Sequence, residues 1–195
     1  MSRVSVVERT TGETDIHLEI GLDGAGTHGI STGIPFFDHM LTLFAVHGFF
    51  DLTVRAKGDV DVDLHHTVED VGLALGEAID RALGDRTGIR RYGHAAVPMD
   101  ETLTSVTLDL SRRPLLVYHV PETLAGGGPM DVFLAKEFFR AVANRAGVTL
   151  HVNTAYGENL HHIVESIFKG FGRALAEAVG RDERVRGARS SKGVL

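Results

Sequence analysis

The feature that most constrains the fold is an internal duplication. The stretch HHTVED at 65–70 returns as HHIVES at 161–166, so two adjacent histidines are followed three residues later by a glutamate in both places. Small and apolar residues continue the match at the same offset, in the pairs Val68/Val164, Gly76/Gly172, Ala78/Ala174, Ala82/Ala178 and Gly84/Gly180. A repeated helix explains this better than chance similarity between two amphipathic helices.

The segments before the two patterns also correspond. Alternation of apolar and polar residues predicts four half-buried strands, at 14–22, 51–54, 104–112 and 149–152. Helical periodicity that ends in a glycine predicts one further helix in each half, at 35–48 and 131–147. Each half is therefore predicted to run strand, strand, helix, strand, short strand, helix.

These elements predict an α+β fold made of two duplicated half-domains. Each half-domain is a small, mostly antiparallel sheet with its helices on one face. We place the first repeat at 1–90 and the second at 91–195, and the turn-rich segment GDRTGIRRYG at 84–93 joins them. With 195 residues, 43% of them apolar, the two repeats can share one core and form one integrated domain.

Composition excludes several classes of protein. A net charge of −6 argues against general nucleic-acid binding. Without cysteine the chain has no disulfide, no thiolate metal site and no thiol nucleophile. We find no secretion signal and no apolar run of about 18 residues that could span a membrane. A cytoplasmic location is the expectation.

The repeated pattern has the geometry of a metal clamp. His65 and Glu69 are four residues apart and project from one face of a helix. His66 points roughly 100° away and cannot easily serve the same ion. Each helix is therefore expected to feed two metal sites, one through its His–Glu pair and the other through the adjacent histidine. The second helix offers the same set in His161, His162 and Glu165.

Two further ligands are candidates because they occupy matching places in the two halves. His39 of FFDHM lies before the first pattern, and Glu137 of AKEFF lies before the second. A glutamate on a helix can equally be a solvated surface residue. Nitrogen and oxygen donors without sulfur favour Mn, Fe, Co, Ni or Zn. The remaining histidines are interpreted as packed or surface residues: His17, His28, His47, His94, His119 and His151.

Several longer motifs resemble one known family across essentially the whole chain. They are GIPFFDHML (33–41), GDVDVDLHHTVEDVGLALG (58–76), RRYGHAAVPMDE (90–101), HHIVESIFKGFGRAL (161–175) and SSKGVL (190–195), and they resemble the imidazoleglycerol-phosphate dehydratases of histidine biosynthesis. The resemblance implies a fold like the second domain of ribosomal protein S5, used twice. It also implies two Mn²⁺ ions per active site, no organic cofactor, and a 24-subunit homo-oligomer with active sites at subunit interfaces.

The resemblance also assigns roles to individual residues. It implies metal ligands at His39, His65, His66, Glu69, His161, His162 and Glu165, and at Glu137, where family members carry either histidine or glutamate. It implies substrate contacts, mainly to phosphate, at Glu13, Arg91, Arg113, Lys169, Ser190 and Lys192. Lys169 could instead form an ordinary salt link to Glu165, four residues earlier, and the tail could simply be frayed. We also expect the tail to reach a neighbouring subunit.

The implied reaction converts D-erythro-imidazole glycerol phosphate to imidazole acetol phosphate. The proton lost sits on a carbon with no carbonyl beside it, so the imidazole ring is the only electron sink. Our hypothesis is a metal-bound imidazolate that expels the hydroxyl, followed by proton removal by a carboxylate. Glu165 is the first choice for that base and Glu69 is its rival.

Three alternatives remain open at this point. A dimetal phosphatase or hydrolase would also use clustered histidines and carboxylates. An RNA-binding module would share the implied domain type, but the acidic charge speaks against it. A metal-storage shell would bind ions without catalysing dehydration.

Overall fold

The computed structural model describes residues 3–121 and 130–192. The first half contributes four strands and two helices, which are β1 (Val4–Thr10), β2 (Thr14–Gly21), β3 (His28–Ser31), α1 (Pro35–Gly48), β4 (Asp51–Gly58) and α2 (His65–Leu83). The second half repeats this order with β5 (Tyr92–Met99), β6 (Thr102–Asp109), β7 (Leu115–His119), α3 (Val132–Ala146), β8 (Thr149–Tyr156) and α4 (Leu160–Val179).

Each half builds its own four-stranded mixed sheet. The strand orders are β1-β2-β4-β3 and β5-β6-β8-β7, so the two sheets have the same topology. In both sheets the short strand pairs parallel to its neighbour, and the other pairs are antiparallel. The α+β fold of two similar half-domains is therefore confirmed.

The predicted order of elements within each half is wrong in one respect. The short strand precedes the first helix of its half, as β3 and β7, instead of following the strand that comes after that helix. After β4 the chain forms a turn in which the Val62 amide donates to the Asp59 carbonyl at 2.8 Å. A short parallel strand is defined by the neighbour it reaches through a crossover, and its own sequence carries little signal.

The helices lie between the two sheets and are paired across the halves. Helix α1 packs against α4, and α2 packs against α3. Glycines allow the close approach, since a Cβ at Gly76 would lie 2.7 Å from the Val142 carbonyl oxygen and one at Gly172 would lie 2.6 Å from that of Phe44. One apolar cluster consequently runs through both halves.

The segment between the halves is anchored by Arg86, whose side chain is fully buried. Its guanidinium donates to the Ala146 carbonyl at 2.5 Å and to the Asp80 carboxylate at 2.6 Å. The segment between the halves therefore provides a hydrogen-bond donor for a carbonyl at the end of α3 that has no partner within the helix. Among the helices that the structure describes, none combines the length and apolar character needed to cross a bilayer.

Candidate metal and substrate site

The first turns of α4 bring an imidazole and a carboxylate together. Asn159 caps this helix by accepting from the His161 amide, which fixes the direction in which the first turn leaves the loop. One turn further on, Glu165 Oε2 lies 2.9 Å from His161 Nε2. The four-residue spacing thus does what helix geometry predicts and places both groups on one face.

A second imidazole reaches this pair from the other half of the chain. His39 lies on α1, which packs against α4, and its Nε2 atom is 3.5 Å from Glu165 Oε2. One donor atom from each of His39, His161 and Glu165 lies within 4.8 Å of the others. In the described residues this is the one group of three such side chains gathered so closely, and we call it the α4 triad. Its two nitrogens and one oxygen fit a divalent cation such as Mn²⁺.

Glu165 is held as a charged group. Its side chain is only 8% exposed, and Lys169 Nζ lies 2.6 Å from its Oε1. Burial alone would raise the pKa of Glu165, but hydrogen bonds from Lys169 and His161 outweigh burial and hold that pKa below its ordinary value. A buried carboxylate that stays ionised is suited to holding a cation.

The corresponding group on α2 is more open. His65 Nε2 and Glu69 Oε2 are 3.6 Å apart, and the Glu69 side chain is 46% exposed. Glu137 of α3 shares a surface groove of about 460 Å³ with His65, but its carboxylate pairs with Arg140 at 2.6 Å. We call His65, Glu69 and Glu137 the α2 group. The helix pairing therefore gives His39 to the second-half pattern and Glu137 to the first-half pattern.

The second histidine of each pair is turned away from its neighbour. The rings of His65 and His66 are nearly perpendicular at 86°, and those of His161 and His162 make an angle of 79°. The Nδ1 atom of His66 lies 3.0 Å from Asp59, and that of His162 lies 2.7 Å from Glu101. Each hydrogen bond raises the pKa of its imidazole.

Asp59 and Glu101 were not among the predicted site residues. Glu101 was discoverable from the repeat, because Glu13 and Glu101 both precede the threonine that opens the second strand of their half, Thr14 or Thr102. Nothing in the sequence pattern singled out Asp59.

Two of the predicted phosphate-binding residues, Arg91 and Arg113, lie together near the start of β5, away from Lys169 on α4. Arg91 is buried and forms a bidentate salt bridge with Asp109, with N–O distances of 2.6 and 3.0 Å. This salt bridge raises the pKa of Arg91. A third nitrogen of Arg91 donates to the Arg189 carbonyl at 2.6 Å and so holds the tail. Arg113 reaches the same carboxylate at 3.4 Å. Arg91 therefore organises this cluster through Asp109 and the tail.

The tail continues from this contact through Ser190 and Lys192. The Lys192 amide donates to Ser190 Oγ at 3.2 Å, so this part of the tail is turned back on itself. Residues 193–195 of the predicted SSKGVL segment lie outside the described residues. Glu13, another predicted substrate contact, lies in the β1–β2 turn, 3.7 Å from His66 Nδ1.

One chain does not bring all the predicted site residues together. Lys169 Nζ lies 3.7 Å from the sulfur of Met99, at the end of β5, whereas Arg91 precedes the start of that strand. An eight-residue strand extends roughly 25 Å. The α4 triad and the arginine cluster are consequently far apart within one chain.

The other histidines do not enter the α4 triad or the α2 group. His17 pairs with Glu8, His28 contacts the Gly26 carbonyl, and His94 contacts Thr107. Burial and the neighbouring Lys169 and Arg173 lower the pKa of His47. The side chains of His119 and His151 lie on exposed positions of their strands.

Known proteins match the chain along its whole length. The family model described as imidazoleglycerol-phosphate dehydratase matches residues 32–175. A protein of that name from Desulfosudis oleivorans is 57% identical over 195 residues, which is 100% of both chains. Another from Syntrophobacter fumaroxidans is 58% identical over 193 residues, 99% of this chain and 98% of the relative.

Solved structures of two proteins of the same name share the fold. The one from Staphylococcus aureus has a TM-score of 0.82 at 37% identity, over 92% of this chain and 99% of that chain. The one from Pyrococcus furiosus has a TM-score of 0.85 at 40% identity, over 97% of this chain and 100% of that chain. The chain therefore belongs to the imidazoleglycerol-phosphate dehydratase family, the hydro-lyases of histidine biosynthesis.

Proposed function

We propose that this chain converts D-erythro-imidazole glycerol phosphate to imidazole acetol phosphate with the help of two divalent metal ions, Mn²⁺ by preference. The observation that carries the metal dependence is the α4 triad, whose three donor atoms lie within 4.8 Å of one another. The triad comes from two helices that are distant in sequence and are fixed by the core, so it is a preorganised cluster. Family membership supports the reaction itself.

The chemistry requires electron withdrawal through the imidazole ring of the substrate. The proton that is lost sits on a carbon without a neighbouring carbonyl, and the leaving group is a hydroxyl. Bound divalent ions would supply Lewis acidity toward the ring nitrogens. The protein must then position the ring, offer a carboxylate to the departing proton and neutralise the phosphate.

The α2 group is our candidate for the second ion. His65, Glu69 and Glu137 correspond in the repeat to His161, Glu165 and His39. The imidazoles of His66 and His162 belong to neither group and are turned away from the adjacent histidines. We therefore assign them to ions held mainly by another subunit. The ion at the α4 triad would then bind two imidazoles and one carboxylate from its helix pair, and the ion at the α2 group would bind one imidazole and two carboxylates. Each ion would also bind one imidazole from another subunit.

A carboxylate on α4 or α2 takes the proton in our scheme. Glu165 is the buried carboxylate of the triad and accepts from Lys169 at 2.6 Å, which stabilises its ionised form and weakens it as a base. Among the described residues no lysine pairs with Glu69, and Glu69 is more exposed. Glu165 remains the first choice because it is fixed in place, and Glu69 is the rival.

We also propose that a complete active site draws on several subunits of a homo-oligomer, with 24 subunits as the expected size. The separation of the arginine cluster from the α4 triad supports this, because the short glycerol chain of the substrate cannot span an eight-residue strand. The cluster of Arg91, Arg113, Ser190 and Lys192 would bind the phosphate at a site whose metal ligands belong to other chains.

Mixing two inactive variants tests this shared site. Arg113→Ala removes a phosphate ligand and Glu165→Gln removes a metal ligand, so each variant alone is expected to be inactive. An oligomer assembled from both variants should regain part of the activity, because some of its sites combine an intact Glu165 with an intact Arg113 from another chain. Mixed assemblies that stay inactive would show that both residues serve the same site within one chain.

The reaction and its metal dependence are tested together. Purified protein is dialysed against EDTA and assayed with imidazole glycerol phosphate by mass spectrometry of the product. We expect activity to be lost on chelation and restored by Mn²⁺. Retention of full activity without metal would contradict the metal proposal. Release of phosphate from p-nitrophenyl phosphate, without dehydration, would instead indicate the alternative dimetal phosphatase.

We propose a small phosphorylated imidazole as the only partner besides further copies of the chain. The net charge of −6 gives no support to a nucleic-acid partner, and we propose no membrane partner. A chain without cysteine forms no disulfide, as is usual for cytoplasmic enzymes, and we propose a cytoplasmic location.

A further inference from the structure

His66 and His162 share a feature that neither His65 nor His161 shows. In each, the Nδ1 atom lies within hydrogen-bond distance of a carboxylate held by its own half of the chain. The carboxylates come from different places in the two halves.

In the first half the carboxylate is that of Asp59, the residue directly after β4. Its two oxygens lie 3.0 and 3.3 Å from His66 Nδ1. The Asp59 amide donates to the Glu13 carbonyl at 3.1 Å, and its carbonyl accepts from Val62 at 2.8 Å. The backbone on both sides of Asp59 is therefore fixed, which fixes the origin of the carboxylate.

In the second half the position that matches Asp59 holds Glu158. Gly58 and Gly157 set the register, because a Cβ at either would meet the threonine that opens the second strand of its half, Thr14 or Thr102. The Glu158 side chain is exposed, and no hydrogen bond joins it to His162 among the described residues. Its backbone amide donates to the Glu101 carboxylate at 3.2 Å.

Glu101 makes the contact in the second half. It lies in the turn between β5 and β6, and its Oε2 is 2.7 Å from His162 Nδ1. Its other oxygen accepts from the backbone amides of Asn159 at 2.8 Å and Glu158 at 3.2 Å. The carboxylate of Glu101 therefore bridges the loop before α4 and the imidazole.

Glu13 occupies the matching turn of the first half, and its role there is different. Its nearest oxygen is 3.7 Å from His66 Nδ1, beyond hydrogen-bond distance, and its side chain is 55% exposed. Asp59 makes the contact instead. The two halves therefore share a carboxylate at Nδ1 of the second histidine and differ in the residue that provides it.

We infer that Asp59 and Glu101 are positioning residues that hold His66 and His162 with the proton on Nδ1 and the lone pair of Nε2 directed away from their own helix. A carboxylate at one ring nitrogen fixes the tautomer and the orientation of a metal-binding imidazole and increases its basicity. The ligand role of the two histidines rests on the proposed function. Their orientation rests only on the contacts described above.

The Nε2 end of His162 faces a further negative group. Asp100 Oδ2 lies 3.6 Å from Nε2, too far for a hydrogen bond, and its side chain is exposed. Nε2 is consequently left without a donor or acceptor within hydrogen-bond distance among the described residues, and the negative charge beside it favours a cation there.

Two substitutions at each position test the inference in the intact oligomer. Glu101→Gln and Asp59→Asn keep an oxygen acceptor, whereas Glu101→Leu and Asp59→Leu remove it. Glu158→Leu and Asp61→Leu are the matched controls, because both are exposed neighbours whose side chains do not contact the imidazoles. Melting temperature and assembly size are measured in EDTA for every variant, so that damage to folding is recognised.

The first measurement is metal-independent. Crystal structures of the metal-free leucine variants should show the His162 or His66 ring rotated or in several orientations, while the amide variants keep the parent orientation. A ring that stays in place in both leucine variants would overturn the positioning role. This result does not depend on whether the protein binds metal.

The second measurement is the affinity for Mn²⁺, by isothermal titration. The leucine variants should lose about 10–100-fold in affinity for one class of site, as expected when a partner of a ligating histidine is removed, with the amide variants between them and the parent. Unchanged affinity beside a rotated ring would overturn the link from orientation to metal binding. A parent protein that binds no Mn²⁺ would refute the proposed function, and the crystal structures would still decide the positioning role.

Discussion

Helices α2 and α4 carry the same His-His-x-x-Glu pattern and place it in different surroundings. On α4, Glu165 is 8% exposed and contacts His39, His161 and Lys169. On α2, Glu69 is 46% exposed and lies 3.6 Å from His65. The spacing of the pattern is identical, so the difference arises from its surroundings: Lys169 on α4 itself, where α2 has Leu73, and the helix that packs beside each pattern. Helix α1 provides an imidazole to α4, whereas α3 provides to α2 a glutamate that is already paired with Arg140.

Helix geometry decides which side chains face together, and residues of the same helix and of the opposite half decide how firmly they are held. The core follows the same rule. Phe168 is fully buried on α4, and its counterpart on α2 is Gly72, where a Cβ would lie 2.8 Å from the Phe138 carbonyl oxygen. One helix of the duplicated pair fills the centre of the molecule and the other leaves room for it.

The largest expected effect is a loss of kcat, and it should differ between substitutions of the two glutamates. Glu165→Gln should lower kcat by about 1,000-fold, because it removes a buried ligand of the α4 triad and the partner of Lys169. Glu69→Gln should lower kcat by about 100-fold, because its site is more open. Steady-state assays with saturating Mn²⁺ compare them, with Glu19→Gln on an exposed strand position as control. An equal or larger loss for Glu69→Gln would break the proposed asymmetry.

Phe168 provides the next test, in the core. Its ring lies 4.9 Å from that of Phe139 and 5.2 Å from that of Phe138. Phe168→Ala should lower the free energy of unfolding by about 3–5 kcal/mol, since it leaves a cavity that helices α3 and α4 cannot close. Urea unfolding at fixed protein concentration measures this, because assembly contributes to stability. Val62→Ala, at a residue that is 76% exposed, should change little.

The two glycines at the helix crossings should behave alike. Gly76→Ala and Gly172→Ala should each lower the free energy of unfolding by about 1–3 kcal/mol, because the added methyl group meets a backbone carbonyl of the opposite half. Gly12→Ala, where no atom lies within 4 Å of the added Cβ, is the control. Stabilisation by either helix substitution, which is the usual result inside a helix, would contradict the close crossing.

The smallest expected effect is a difference in how stability depends on pH when the first residue of β4 or of β8 is substituted. The backbone amides of Ala25 and Thr27 donate to the Asp51 carboxylate and lower its pKa from the ordinary 3.8. A lowered pKa in the folded state stabilises the protein above the ordinary value, and this contribution is lost as the pH falls through the folded-state pKa.

The stability difference between parent and Asp51→Asn should therefore be small at pH 7 and should shrink below about pH 4. The counterpart Thr149 donates its hydroxyl to the Arg113 carbonyl at 2.9 Å. Thr149→Val should be destabilising by an amount that does not vary with pH over the same range. Thermal unfolding from pH 3 to pH 7 compares the two variants, and a pH-independent effect of Asp51→Asn would contradict the role of its charge.

Much of the fold could be predicted because the duplication offers every element twice. The helices predicted at 35–48 and 131–147 correspond to Pro35–Gly48 and Val132–Ala146. Both carry a helical apolar period and end at a residue with a left-handed backbone. The strands β3 and β7 were misplaced, because each depends on a parallel neighbour that is reached only through a helix.

The site could be predicted only up to the local spacing. The pairs His65–Glu69 and His161–Glu165 follow from helix geometry alone. That His39 joins the second pair depends on the packing of α1 against α4, which no local pattern encodes. The roles of Asp59 and Glu101 depend on side chains from turns that meet the helices in space. The separation of Arg91 from Lys169 similarly follows only once β5 is known to run as one continuous strand between them.

The crosswise pairing of the helices has a consequence for the origin of the molecule. A chain carrying one repeat would have a sheet and two helices whose buried faces find no partner within that chain. Two such chains, packed as α1 on α4 and α2 on α3 pack here, would bury those faces and gather the same side chains at two equivalent places. Joining them through the segment around Arg86 makes that association permanent, and it frees the two places to diverge, one gaining an imidazole where the other has a carboxylate.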